Sequence, residues 1–284
     1  MLGDFEYVRP RTIGDACKLL RDGEGQAVAY AGGTDLLVDI RNSLRSPKLL
    51  VDIKGLEGLD CLETRDGEQT ILGATVPLNR IVENAALRER LSALSEAALT
   101  IATYQLRNRA TIGGNLCNAS PASDSIPPLL VTNAALHIEG REGSRDVPLH
   151  GFCTGVKKTC LKPGELVTEI RIPPLEEGTR TAFLKQQRIR GHDLAVVNLA
   201  GSLSPSDGAL RIAIGSCGPI PILLDPIETA SHTNDAIATE AVRVAEGAIS
   251  PISDVRASAE YRRAILPVLI RRLIERLLDG TGGA

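Results

Sequence analysis

The sequence predicts an α+β chain of more than one domain, and three observations carry that expectation. Early in the chain an apolar run, a glycine turn, a helical stripe and a second apolar run follow one another. The middle mixes strand-like and helical segments and contains the turn dipeptide Asp66-Gly67. Beyond Pro173-Pro174 three strand-like runs form a meander, and helical segments close the chain.

Thr12 to Leu20 reads as a helix. Thr12 and Asp15 have capping-box spacing, with Asp in place of the usual Glu or Gln, and Ala16, Leu19 and Leu20 form an apolar stripe. AVAYA (Ala27–Ala31) suits a buried strand. AGGT ends it, and DLLVDIRN opens a helix on an acidic residue, as the helix field prefers. Lys48–Ile53 is the next strand, and this order implies parallel pairing. From about Gly55, CLETRDGEQTILGATV reads as two strands joined at Asp66-Gly67. Leu78 to Asn84 and Leu87 to about Arg107 read as helices, the second with Leu91, Leu94, Ala98 and Ile101 on one face. A helix through PPLLVT follows, then strands AALHIEG, DVPLHGF and GELVTEIRIP. Pro173-Pro174 and the charged LEEGTR mark the expected boundary. Residues 1–173 precede it, with subdomains at about 1–54 and 55–173, and 174–284 follow. TAFLKQQRI, AVVNLAGSL and LRIAIGSCG read as strands. Helices near Asn234–Ala248 and Val255–Leu278 end the chain, the last broken or kinked at Pro267.

Composition narrows the function. At 284 residues and 43% apolar content the chain can bury a sizeable core. A net charge of −3 supplies no basic field for nucleic acid. Three Phe, four Tyr and no Trp leave few platforms for stacking bases, so a flat ligand must pack on aliphatic side chains. The N-terminus has no basic and apolar leader pattern, and no apolar run is long enough for a membrane span, which points to the cytosol. Six scattered cysteines without a C-x-x-C pair predict free thiols, and no metal is expected.

Two segments carry the chemistry. In AYAGGTDLL, Gly32 and Gly33 allow a sharp turn and close approach of a ligand to the main chain, and Thr34 adds a hydroxyl. In TIGGNLCNASPASDSIPPLL, Gly113 and Gly114 have the same character, and Thr111, Asn115, Ser120, Ser123 and Asp124 can bond a phosphate or a ribose. No Lys or Arg lies between Thr111 and Leu130, so a phosphate there would be met by dipoles. Taken singly, a tight turn and a polar loop explain each segment. Together, about eighty residues apart, they suggest a dinucleotide held in a cleft between two lobes.

AGGTDLL, RNRATIGGNLCNASPASDSIPPLL, KKTCLKPGELVTEIRIP and DVRASAEYRR fall in the order that resembles the FAD-binding medium subunit of the molybdenum hydroxylases, the group of xanthine dehydrogenase and carbon monoxide dehydrogenase. The resemblance covers almost the whole chain. It implies the two-lobed FAD-binding fold of the vanillyl-alcohol oxidase type, followed by a C-terminal flavoprotein domain of antiparallel sheet and helices. It also implies FAD lying extended between the lobes. Val28, Ala29, Tyr30, Ala31, Gly32, Gly33, Thr34, Asp35 and Leu36 would wrap the pyrophosphate and part of the adenosine. Thr111, Gly113, Gly114 and Asn115 would hold the phosphates and ribityl chain, and Ser123 and Asp124 the adenine ribose side. Ile101, Ala102, Ala110, Cys117 and Leu161 match lining positions. Lys185 matches a lysine beside the flavin ring, where a cation favours the reduced form. Leu194, next to His192 and Asp193, matches a loop over the ring. The loop insertion that carries an extra iron–sulfur cluster in one branch is absent from this sequence.

The implied activity is electron relay. A molybdopterin-binding large subunit would oxidise substrate, a small subunit with [2Fe–2S] clusters would carry electrons, and this chain would pass them to NAD+ or another acceptor. No nucleophile or catalytic triad is expected here. A freestanding FAD-dependent oxidoreductase and a colourless nucleotide-binding scaffold are the rival readings. Arg262, Arg263, Arg271, Arg272 and Arg276 form either a docking face for an acidic partner or a solvated face.

Overall fold

The structure is a computed structural model that describes residues 4–64, 67–189, 191–206, 208–229 and 233–278. The chain opens with β1 (Glu6–Val8), α1 (Ile13–Asp22), β2 (Ala27–Tyr30), α2 (Leu36–Arg41) and β3 (Leu49–Asp52). These strands form a parallel sheet in the order β1-β3-β2, as the strand–turn–helix–strand pattern implies. Thr12 caps α1: its Oγ1 accepts from the Asp15 amide at 3.1 Å and donates to the Asp15 carboxylate at 2.8 Å. A small core of Ala16, Cys17, Val51, Leu56 and Leu59 lies under this layer.

The second layer is antiparallel. β4 (Leu62–Glu63), β5 (Thr70–Gly73), β6 (Ala135–Gly140), β7 (Gly143–Pro148) and β10 (Leu166–Ile172) form a sheet ordered β4-β5-β10-β6-β7, and β8 (Cys153–Gly155) pairs with β9 (Lys158–Thr159). Between β5 and β6 run α3 (Leu78–Glu83), α4 (Ala85–Arg90), α5 (Ser92–Thr100), α6 (Tyr104–Arg107), α7 (Ile112–Cys117) and α8 (Ile126–Val131). The single helix expected from Leu87 to Arg107 is therefore three. Leu91 leaves helical geometry at φ −125°, ψ 47°, and Ala102 sits at φ +48°. The Arg107 guanidinium explains the second break. It is buried, and its Nη1 donates to the carbonyls of Leu99, Ile101 and Ala102 at 3.0–3.1 Å, holding them out of a helical ladder. The strand expected through Phe152 ends at Pro148 and gives way to a 3₁₀ turn at Leu149–Gly151. Asp66 of the expected hairpin turn lies outside the described residues, while β4 and β5 pair antiparallel as expected.

The third layer is a meander, β11 (Arg180–Gln186), β12 (Val197–Leu203), β13 (Ala209–Gly215) and β14 (Ile222–Leu223), with β15 (Ile227–Glu228) also paired to β13. α9 (Asn234–Ala248) and α10 (Ala259–Leu278) cover one face, and α5 and α8 reach the other. This double cover explains why VNLAGSL is buried along nearly all its length and why its sequence does not alternate. Phe183, Ala200 and Ala213 belong to the core of the antiparallel layer, so that core runs across the join. Leu199, Ile212 and Ile214 face the helices. α10 starts at Ala259, later than the expected Val255, and runs unbroken past Pro267. Its Arg262 is no surface charge. It is 1% exposed and donates to the carbonyls of Val196 and Ser216 and to Asp254. Arg271 pairs with Asp235 and Arg276 with Glu96, so three of the five arginines read as a basic face are engaged within the chain.

Candidate functional site

The first glycine bend joins β2 to α2. Gly33 has φ +73°, and a Cβ there would lie 2.4 Å from the Tyr30 ring, so both conformation and space require glycine. A Cβ on Gly32 would lie 2.0 Å from the Arg109 carbonyl oxygen and 3.1 Å from the Ala110 Cα. The first bend therefore rests directly against the chain entering the second. Among the described residues the amides of Gly32, Gly33, Thr34 and Asp35 have no protein acceptor. They form a short arc of free donors, the kind of nest that receives an anion. Behind the arc stands a polar buttress that the sequence reading missed. Lys54 Nζ lies 3.9 Å from the centre of the Tyr30 ring and donates to Asp52 at 2.6 Å. Tyr7 and Arg9 also donate to Asp52. Burial pushes the Asp52 carboxyl up, but the bonds from Lys54 and Tyr7 outweigh it and hold it below its ordinary range.

The second bend is built differently. Thr111 caps α7, accepting from the Gly114 amide at 3.1 Å. The Ile112 amide bonds the Val76 carbonyl, the Gly113 amide bonds that of Ala74, and the Asn115 amide bonds that of Thr111, each at 3.0 Å. Every amide from Ile112 to Asn115 is thus already taken. A Cβ on Gly113 would lie 2.6 Å from the Ala74 carbonyl oxygen. The bareness of Gly113 lets α7 pack on the end of β5. What this bend offers is side chains. Asn115 Oδ1 accepts from Ser123 at 2.5 Å and from Ser125 at 2.6 Å, while its Nδ2 has no protein partner among the described residues.

Asp124 follows in the α7–α8 connection and is 6% exposed. Its Oδ2 takes Lys185 Nζ at 2.7 Å, and its Oδ1 takes Asn198 Nδ2 at 2.6 Å. Lys185 is itself almost fully buried and also donates to the Thr100 carbonyl at 3.2 Å. Burial pushes the Asp124 carboxyl up, with the Lys185 charge opposing it. An ammonium has three donors, and the protein engages two here. Asp124, in the α7–α8 connection, and Lys185, on β11, are therefore in direct contact and form one polar cluster.

The remaining residues extend the same wall. Ile101 and Ala102 are half-buried beside Thr100, Ala110 is buried against Gly32, and Leu161 is half-buried over the core. Cys117 is solvent-accessible, yet surrounding protein desolvates its thiol enough to push it up to about 12. His192 donates from Nδ1 to the Ala102 carbonyl at 3.0 Å, tying the 191–195 loop to the break after α5. Leu194, on that loop, is 59% exposed. Val28 and Ala29 lie within β2, and Leu36 begins α2. A continuous path therefore runs from the Gly32–Gly33 bend through Ala110, Asn115 and Ser123 to Asp124, Lys185 and the Ala102–His192 contact.

Two family models match the chain. Residues 3–175 match the FAD binding domain in molybdopterin dehydrogenase, and residues 182–277 match the CO dehydrogenase flavoprotein C-terminal domain. The chain belongs to the FAD-subunit family of the molybdenum hydroxylases. It is 30% identical to the xanthine dehydrogenase FAD-binding subunit of Escherichia coli O157:H7, over 99% of this chain and 98% of that one. It is 32% identical to the carbon monoxide dehydrogenase medium chain of Afipia carboxidovorans, over 96% of each. A solved structure of carbon monoxide dehydrogenase from Hydrogenophaga pseudoflava superposes with a TM-score of 0.92 at 29% identity, covering 98% of this chain and 99% of that one. The protein is a medium, FAD-carrying subunit of an oxidoreductase of this family, with the mixed fold of parallel and antiparallel sheets that the resemblance implies. No helix among the described residues is long and apolar enough to cross a membrane.

The residues fit FAD. The free amides of Gly32 to Asp35 suit its phosphates, and the open Asn115 Nδ2 and the third N–H of Lys185 are donors for its polar edges. Thr100, Arg107 and Asn198 were missed in the sequence. Asn198 had a signal: it is the lone amide in the apolar run AVVNLAGSL, and a buried amide needs a partner.

Proposed function

We propose that this subunit takes electrons from the [2Fe–2S] clusters of a partner subunit, itself fed by a molybdopterin-binding large subunit, and passes them to NAD+ or another acceptor. Relatives named as medium chains of carbon monoxide dehydrogenase support the assembly. The observation that carries the reading is the contact of Gly32 with Arg109 and Ala110, which joins the free amides of one bend to the side chains of the other. FAD, when bound, supplies the redox chemistry. The Gly32–Asp35 amides hold its phosphates. Asn115 orients the chain between phosphates and ring. Lys185 presents a fixed positive charge at the ring end. Ile101, Ala102, Leu161 and Leu194 shield that end with aliphatic surface, which suits a chain with no Trp. Residues 1–173 act as the cofactor-holding unit and 174–284 close it through Lys185 and the 191–195 loop.

The intact native assembly tests this. Purification should yield a yellow complex with three kinds of chain, FAD, [2Fe–2S] clusters and molybdopterin, and its flavin absorbance should bleach on substrate addition. An isolated chain that turns over its own organic substrate would instead favour a freestanding oxidoreductase. A colourless preparation would leave only a scaffold.

A further inference from the structure

Lys185, Asn198 and Gly215 are neighbours across three strands, Lys185 paired with Asn198 and Asn198 with Gly215. They lie in register on β11, β12 and β13, and the first two close on Asp124. Asn198 is 0% exposed, and its Nδ2 bonds both Asp124 Oδ1 and the Ser123 carbonyl. Its Oδ1 is buried without a partner among the described residues. A Cβ on Gly215 would lie 2.0 Å from that oxygen. Glycine at 215 thus leaves just enough room for the amide, and the two acceptors fix which end of the amide points at Asp124. A buried oxygen left unbonded keeps its desolvation cost uncompensated. An apolar side chain of similar size would leave the Ser123 carbonyl and Asp124 Oδ1 without this donor. The amide is held for its Nδ2 end.

That other end holds a carboxylate whose second oxygen holds the buried ammonium. We propose that Asn198 is a positioning residue that sets the flavin's reduction potential by holding Asp124, which in turn fixes Lys185. This rests on the flavoprotein reading above. The reduced cofactor carries more negative charge at its ring, so an ammonium fixed beside the ring binds the reduced form more tightly than the oxidised one. Removing the Asn198 donor frees Asp124 to turn, and Lys185 moves with it. The preference for the reduced form then falls.

The test is spectroelectrochemical titration of FAD in the intact assembly, with Asn198→Ala and Asn198→Asp. Asn198→Ala should bind reduced FAD about tenfold less tightly relative to oxidised FAD, a drop of about 30 mV for a two-electron couple. Asn198→Asp keeps the shape and replaces the donor by an acid. At low pH the protonated acid can still donate to Asp124, and the potential should approach wild type. As pH rises it should fall below wild type, because two carboxylates then face each other. A potential unmoved or raised in Asn198→Ala, or an Asn198→Asp potential that tracks wild type at every pH, overturns the proposal. If Asn198→Ala does not retain FAD, the pH behaviour of Asn198→Asp decides alone. If both variants lose FAD, Asn198 serves cofactor retention rather than the potential, and the proposal is overturned. Wild type that purifies without flavin defeats the flavoprotein reading; wild type that is yellow with variants of unmoved potential defeats only this inference.

Discussion

The two glycine bends look alike in sequence and work in opposite ways. AGGTD and TIGGN each combine two glycines with a nearby threonine at a six-residue helix, just before it in the first and within its first turn in the second. At the first, the amides of Gly32 to Asp35 have no protein acceptor among the described residues; at the second, those of Ile112 to Asn115 are all bonded within the chain. The first glycine pair is bare for turning and for contact with the other bend, while Gly113 is bare for packing against Ala74. Glycine absence of bulk is one property, and the neighbour on the bare side decides its use. Both helices are short, so the main-chain donors themselves carry more of any anion binding than the summed helix dipole.

The largest test of this difference is Gly32→Ala. Its Cβ would meet the Arg109 carbonyl at 2.0 Å, and backbone cannot step aside as a side chain can. Prying the bends apart should cost about 1–3 kcal/mol of stability and remove most bound FAD, read by thermal melt and by flavin absorbance per chain. Retained FAD would show that the bends need not touch. Gly33→Ala and Gly113→Ala separate the two kinds of glycine. The first faces the left-handed region, at about 1–2 kcal/mol, and should weaken FAD affinity by distorting the donor arc. The second should lower the melting temperature while surviving molecules bind FAD with nearly normal affinity. Equal effects on affinity would erase the comparison.

A smaller contrast concerns side chains at the second bend. Asn115→Ala removes the open Nδ2 and should raise the FAD dissociation constant about tenfold, the worth of one good hydrogen bond. Thr111→Val removes only the cap of α7, so it should cost about 1 kcal/mol of stability and leave affinity close to wild type. Fluorescence quenching of added FAD distinguishes the two. The smallest effect is in pH. Asp124 has a carboxyl raised by burial, so the folded chain binds a proton more readily there than the unfolded chain. Stability from this group is therefore greatest below the ordinary carboxylate range and declines as pH rises toward the raised value. Urea unfolding of the apoprotein should show wild type losing stability relative to Asp124→Asn across that window; a gap that moves the other way would mean the Lys185 charge dominates the burial.

Much of the fold was legible because it is written locally. The Thr12 cap, the Ala27–Tyr30 strand, the bounds of α9 and the three-stranded meander follow from capping chemistry, apolar runs and turns that neighbours in sequence supply. The break of the expected Leu87–Arg107 helix was hidden, because what breaks it is a buried arginine reaching back to three carbonyls. Arg262 was misread for the same reason: a helix of arginines reads as basic until one side chain turns into the core beside Asp254.

By itself the sequence determined the family, the order of strands and helices, and the residue types gathered at the site, since motif order and local propensity survive without knowledge of distant contacts. Only the tertiary structure decided which bend keeps its amides free, and that Asp124 and Lys185 touch. Those facts depend on the other side of each contact: Arg109 behind Gly32, Ala74 behind Gly113, Asn198 and Lys185 around Asp124. Hydrogen-bond valence is filled by whatever folding brings near, and chain order does not encode that directly.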